Sequence, residues 1–148
     1  MTNLLTVETF KLYAICSVIL GLNLLALAIG TAVARVGTKT FLNPEDSKVN
    51  GKDSKWIDGT ERDLPARFIR AHRNAMENVL PFFAIGLIYV LTNGTVLGAK
   101  AYFFTFTAAR IVHSIVYVKG IQPLRTMSFF VGLLCLLGMM AHILRVAF

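Results

Sequence analysis

An all-α integral membrane protein, folded as a four-helix bundle, is the class the sequence predicts, and three observations predict it. Hydrophobic residues make up 55% of the 148-residue chain and charged ones 16%, with a mean hydropathy of +0.64, whereas soluble domains run to about a quarter charged. Four apolar stretches each approach the roughly 20 residues a helix needs to cross a hydrocarbon core. The 15 Lys and Arg residues collect in connections and at stretch ends, with one exception. One membrane domain over residues 1–148 accounts for the whole chain.

The first stretch, Leu12 to Ala34, lies between Lys11 and Arg35 and predicts a span over about 9–35. It is too long for a signal-peptide core and lacks a small-residue cleavage site, so it is expected to remain in the membrane. A long polar connection, about 36–63, follows with Asn43-Pro44, Gly51 and Gly59, and regular structure is not expected over much of it. Loops this long in small domains are commonly functional or disordered. The second stretch, Asn78 to Ala99, is preceded by a charged helical segment and predicts a span over about 66–92. Asn93-Gly94 breaks the chain. Ala101 to Val118, interrupted by Arg110 and His113, predicts a third span over about 96–119. Gly120 and Pro123 make the next break, and Thr126 to Leu144, between Arg125 and Arg145, predicts the fourth over about 123–146. The two short connections make their flanking helices antiparallel neighbours.

Nine Lys and Arg lie between Arg35 and Arg73, and Lys119 and Arg125 add two, against Lys11, Lys100 and Arg145 on the opposite side. The excess puts the first and third connections in the cytoplasm. That distribution assigns the net charge of +7 to membrane orientation and anionic ligands and argues against nucleic acid. Cys16 and Cys135 sit inside apolar stretches with no metal-ligand spacing, which predicts small buried side chains. Metal, Walker-loop, dinucleotide and catalytic-triad patterns are absent.

Arg70, Arg73, Asn74 and Glu77 recur three and four apart, so they are expected on one helix face at the cytoplasmic boundary. An intrahelical Arg73–Glu77 pair would explain two of them, but adds only a few tenths of a kcal/mol, while a charge at a span centre costs roughly 2.5–3.5 kcal/mol and less near an end. A ligand site explains all four better. Arg110, His113, Ser114 and Tyr117 repeat the pattern on the third span. Antiparallel packing brings His113 and Tyr117 to the level of Arg73 and Asn74, and sets Arg110 at the depth of Glu77, where a buried pair is expected. Arg125 and Arg35 reach the same level from the remaining spans. Converging cations, one acid and several hydrogen-bonding groups suit a small ligand with carboxylates and an amine. His72 is expected to face away from the Arg73 stripe toward headgroups, His142 to be a packing or lumen-side residue, and Phe41 and Trp56 to anchor the loop at the interface.

These residues resemble the membrane-associated proteins in eicosanoid and glutathione metabolism, the MAPEG family, and most of all its microsomal glutathione-transferase and prostaglandin E synthase branches. The resemblance lies in Arg70-Ala-His-Arg73-Asn74-Ala-Met-Glu77-Asn78 with Pro81-Phe82, in Phe41-Leu-Asn43-Pro44-Glu45-Asp46, in Arg110-Ile-Val-His113-Ser-Ile-Val-Tyr117 and in Pro123-Leu-Arg125-Thr126, in family order. It implies a homotrimer with glutathione at protomer interfaces near the cytoplasmic side, held at Arg35, Arg73, Asn74, Glu77, His113, Tyr117 and Arg125. By the same resemblance Arg35 and Arg73 take the carboxylates of glutathione, Glu77 its amine, and Arg125 and Thr126 lie at its sulfur. Asp46 matches an acid that assists isomerase chemistry. Phe129 and Ile121 replace a tyrosine and an arginine of the prostaglandin enzyme.

The implied activity is that of a glutathione S-transferase and peroxidase acting on lipophilic electrophiles or lipid hydroperoxides that arrive from membrane lipid. The implied location is the endoplasmic reticulum in a eukaryote or the inner membrane in a bacterium. A prostaglandin endoperoxide isomerase is the alternative, and a non-catalytic lipid-binding adaptor is the alternative of another class. A channel is disfavoured because the polar residues cluster at one membrane face.

Overall fold

A computed structural model describes residues 7–41, 45, 55–56 and 63–148. Four long helices dominate it: α1 (Glu8–Thr38), α2 (Leu64–Leu91), α3 (Val96–Lys119) and α4 (Gln122–Ala147). Each is long and apolar enough to cross a membrane. β1 (Thr40–Phe41) and β2 (Lys55–Trp56) pair in parallel within the long connection. Asp46, with Asn43 and Pro44, lies outside the described residues.

The helix ends follow the local chemistry. Asp63 accepts the Ala66 N–H at 3.1 Å, and Pro65 suits the first turn of α2, where its missing N–H leaves nothing unbonded. Thr95 caps α3 by accepting from Gly98. Gly120 ends α3 at φ 76, a left-handed conformation open to glycine without penalty. Residues Lys100–Phe104 form a π-helical turn near the start of α3, a feature that hydropathy does not reveal.

Contacts fix the arrangement. Tyr13 on α1 donates to the Phe83 carbonyl of α2 at 2.8 Å, while Gly30 packs on Phe68, so α1 and α2 run antiparallel. Lys100 pairs with Glu8 at 3.0 Å and Asn23 donates to Ser114 at 2.9 Å, which makes α1 and α3 parallel. Arg110 and His113 reach the first turns of α4 while Tyr102 lies against Gly138, so α3 and α4 are antiparallel. The core is aromatic in its central layer, where Phe82 and Phe106 stack at 4.6 Å and Phe103 and Tyr89 meet edge to face. Outward positions such as Val18, Leu22, Ile29, Met127 and Leu134 are exposed, as expected when lipid is the solvent. Both cysteines are buried and free.

Tyr13→Phe removes a bond between α1 and α2 and leaves the Phe83 carbonyl one partner short. A loss of about 1 kcal/mol is expected, read as a lowered melting temperature in detergent. An unchanged melting temperature would remove this bond from the bundle's stability.

Phe41 does not anchor the loop at the interface. Its side chain is buried, whereas the side chain of Trp56 lies outside what the structure describes.

Candidate functional site

The cytoplasmic-side ends of α2, α3 and α4, so named from the charge asymmetry, meet around a cavity of about 210 Å³ lined by Asn74, His113, Tyr117, Arg125, Thr126 and Phe129. Each helix contributes through a separate local rule. Asn74 sits nearly three turns into α2, below the arginine-rich first turns. His113 and Tyr117 are four apart on α3 and so stand one above the other, with ring centres 5.6 Å apart. Arg125 and Thr126 belong to the first turns of α4, fixed by Pro123 at its start. The Arg125 guanidinium lies 4.9 Å from the centre of the Tyr117 ring, an attraction between cation and π face that holds a flexible side chain in place.

His113 is tied to α4. Its Nδ1 lies 3.0 Å from the Arg125 carbonyl oxygen and 3.2 Å from Ser128 Oγ. A carbonyl only accepts, which assigns the ring proton to Nδ1. Ser128 donates to the Leu124 carbonyl at 2.7 Å and is free to receive from the ring as well. Nε2 is then an acceptor, buried and without a partner among the described residues. Asn74 Oδ1 is a second buried acceptor in the same condition. Unpaired buried polar atoms are uncommon in proteins and point to a missing partner. Both here belong to residues lining one cavity.

Arg35 and Arg73 are elsewhere. They line a separate cleft of about 350 Å³ between α1 and α2, with Thr31, Ile69, His72 and Met76. Asn74 therefore parts from Arg73, against the expectation of a single face. Consecutive helix residues are turned by about 100°, and that one step carries Arg73 to the α1 side and Asn74 to the α4 side of α2. His72, expected to face away from Arg73 toward headgroups, instead lines the same cleft as Arg73. Arg35 Nε is buried there without a partner among the described residues. Glu77 is exposed on α2 and pairs with neither Arg73 nor Arg110.

The expected Arg110–Glu77 pair is replaced by a different arrangement. Arg110 is 1% exposed. Its Nη2 donates to the Ser128 carbonyl at 3.1 Å and the Phe129 carbonyl at 3.3 Å, and its guanidinium lies between the Phe106 and Phe129 rings at 5.8 and 5.5 Å. Gly132 makes the room, since a Cβ there would stand 2.9 Å from Arg110 Nε. Depth alone suggested Glu77, but the side chain turns toward α4, where the backbone supplies acceptors and two rings supply π faces. Arg110 and His113 together clamp the first turns of α4. Ser128, which completes this clamp, carries no sequence signal beyond its spacing from Arg125. His72, Gln122 and Arg67 also line clefts at this level and were not singled out as ligands by their spacing.

A four-span membrane protein with guanidinium, hydroxyl and imidazole groups converging at one end is the class that fold and site define. The MAPEG family model matches residues 13–145. Microsomal glutathione S-transferase 1 of Homo sapiens is 36% identical over 148 residues, covering 98% of this chain and 95% of that protein. The Mus musculus protein of that name is 40% identical over 118 residues, covering 78% and 76%. Prostaglandin E synthase of Equus caballus is 31% identical over 126 residues, covering 84% and 80%. The chain belongs to the MAPEG family.

Proposed function

We propose that this protein is a membrane-bound glutathione S-transferase that activates glutathione as a thiolate for attack on lipophilic electrophiles, with peroxidase activity toward lipid hydroperoxides. The observation that carries this reading is the Arg125 guanidinium, held on Tyr117 in one cavity with Thr126, His113 and Asn74. A free thiol has a pKa of about 8.5, and the thiolate is the nucleophile. Arg125, the Thr126 hydroxyl and the positive end of the α4 dipole all favour the anion. His113 Nε2 and Asn74 Oδ1 are the acceptors for N–H groups of the peptide. Arg35 and Arg73 hold its carboxylates, and Glu77, solvent-facing in one protomer, holds its amine.

In conjugation the thiolate forms a C–S bond as the electrophile's leaving group departs with the electron pair. With a lipid hydroperoxide the thiolate attacks the terminal oxygen and the O–O bond breaks. The lipid alkoxide takes up a proton, and a second glutathione resolves the sulfenic acid to the disulfide with loss of water. The oxidant is the hydroperoxide and the reductant is glutathione.

A homotrimer completes this site. The Arg125 cavity, at about 210 Å³, is smaller than the ~300–1,000 Å³ usual for small-molecule sites, and the carboxylate-binding arginines line a different cleft of the same protomer. Packing one protomer's α1 side against its neighbour's α4 side joins the two halves. Arg35→Ala is expected to raise KM for glutathione about tenfold with little change in kcat, the signature of a lost binding contact. Co-expressing Arg35→Ala with Arg125→Ala chains should restore activity in mixed oligomers, because one interface then holds both native arginines. Purified mixtures no more active than either variant alone would refute the shared site.

The multi-pass chain is assigned to the endoplasmic reticulum of a eukaryotic cell or the inner membrane of a bacterial one. The prostaglandin E synthase relatives support one second reading, isomerisation of a prostaglandin endoperoxide. A direct product assay separates it from transfer, and loss of product in Asp46→Ala would favour it.

A further inference from the structure

Ser114 shares the Arg110–Tyr117 spacing on α3, yet it lines no part of the Arg125 cavity. It lines instead a cleft of about 290 Å³ on the α1 side of α3, with Asn23 and Leu27 of α1, Phe68 of α2, and Val118 and Lys119 of α3. This cleft has no lining residue in common with the Arg125 cavity or the Arg35–Arg73 cleft. Its walls are mostly apolar, and polar groups stand at its two ends. Lys119 marks the cytoplasmic mouth, in the last turn of α3. Asn23 and Ser114 mark the deep end, about 7–8 Å further along the helix axis at 1.5 Å per residue.

Helix packing accounts for only part of the deep end. Ser114 Oγ donates to the Arg110 carbonyl at 3.0 Å and receives from Asn23 Nδ2 at 2.9 Å, so the buried serine is satisfied. Asn23 uses one N–H in that bond. Its Oδ1 and second N–H have no partner among the described residues, and Asn23 borders the cleft. An amide left unpaired in hydrocarbon is costly, so a partner belongs there. Lys119 is exposed and makes no ion pair among the described residues. Membrane orientation and the α3 dipole both favour a cation at this end, and neither supplies its counter-ion.

We propose that this cleft binds a compact lipophilic carboxylate, about one ring in size, that carries an oxygen at the end remote from the acid. The carboxylate sits on Lys119 at the membrane boundary. The apolar body lies against Leu27, Phe68 and Val118, and the far oxygen, hydroxyl or carbonyl, hydrogen-bonds the Asn23 amide. The volume is near the bottom of the ~300–1,000 Å³ usual for small-molecule sites, which fits a short body. An ordinary phospholipid meets only half of the pattern. Its oxygens stay in the headgroup region, and hydrocarbon alone reaches the depth of Asn23. The inference does not depend on the thiolate chemistry assigned to Arg125.

The test is equilibrium binding to the full-length protein in an uncharged detergent, with para-hydroxycinnamate, its methyl ester and cinnamate as probes. Para-hydroxycinnamate should bind about tenfold more tightly than the ester, the difference expected of one charge-assisted contact. It should bind about fivefold more tightly than cinnamate, which lacks the hydroxyl. Lys119→Gln should abolish the preference for acid over ester and keep the preference for the hydroxyl. Asn23→Leu should do the reverse. Lys119 is exposed, so its variant is expected to fold whatever Asn23→Leu does to the packing of α1. Saturating glutathione should leave all three affinities in place. Equal wild-type affinities for acid and ester or for para-hydroxycinnamate and cinnamate, or an acid preference that survives Lys119→Gln, would overturn the proposal. Full displacement of para-hydroxycinnamate by glutathione would move it to the arginine sites, and displacement by phosphatidylglycerol would give the cleft to an ordinary lipid; either result overturns it equally.

Discussion

Arg125→Ala is expected to fold, to bind glutathione and to lose about two to three orders of magnitude in kcat at neutral pH, the usual loss on removing one donor from a developing anion. The expected pH dependence follows from the same charge. A guanidinium beside the sulfur lowers the thiol pKa, so the wild type holds thiolate well below pH 8.5 and its activity falls only as pH drops through the lowered value. Without Arg125 the thiol returns toward its ordinary range of about 8.5. Activity of the variant should then climb between about pH 7 and 9, while the wild type is flat there. Arg125→Lys should recover part of the loss, since an ammonium supplies charge but neither the planar fork nor its stacking on Tyr117. Parallel pH profiles for wild type and Arg125→Ala would remove Arg125 from thiol activation.

Gly132→Val is expected to be the most damaging substitution away from the reaction cavity. A Cβ at this position meets Arg110 Nε at 2.9 Å and Nη2 at 3.0 Å, and the two further methyl groups have no room. Arg110 cannot swing aside, because it is buried between Phe106 and Phe129 and bonded to the α4 backbone. Overpacking of this kind costs about 1–3 kcal/mol, and displacing a buried cation from its acceptors adds to that. Lowered thermal stability should come with lowered activity, since the same clamp sets the first turns of α4 and hence Arg125. Gly132→Ala should fall between. A valine variant with wild-type melting behaviour would show that the Arg110 slot is not tight.

The four helices were legible because lipid solvation demands long apolar stretches, and the charged residues that end them mark where they stop. The π-helical turn at Lys100–Phe104 was not, because its apolar side chains satisfy either helix equally. At the site, the i, i+3, i+4, i+7 pattern on α3 put His113 and Tyr117 on one face, and Pro123 put Arg125 at their level; the structure lines one cavity with all three. Spacing failed where azimuth decides. It grouped Arg73 with Asn74, which line different clefts on either flank of α2, and it paired Arg110 with Glu77 from depth alone. Backbone acceptors such as the Ser128 carbonyl leave no trace in sequence, so the partners Arg110 found on α4 were out of reach. Arg35 and Arg73 line a cleft between α1 and α2, apart from the Arg125 cavity, and spacing along one helix does not say which neighbouring helix a side chain faces.

The most direct measurement is a titration of the detergent-solubilised protein with glutathione near neutral pH, following thiolate absorbance, with Arg125→Ala alongside. The account predicts a saturable thiolate signal in the wild type that is missing in the variant at the same degree of glutathione binding. Saturable binding with no thiolate signal in the wild type, or an equal signal in both proteins, would contradict it.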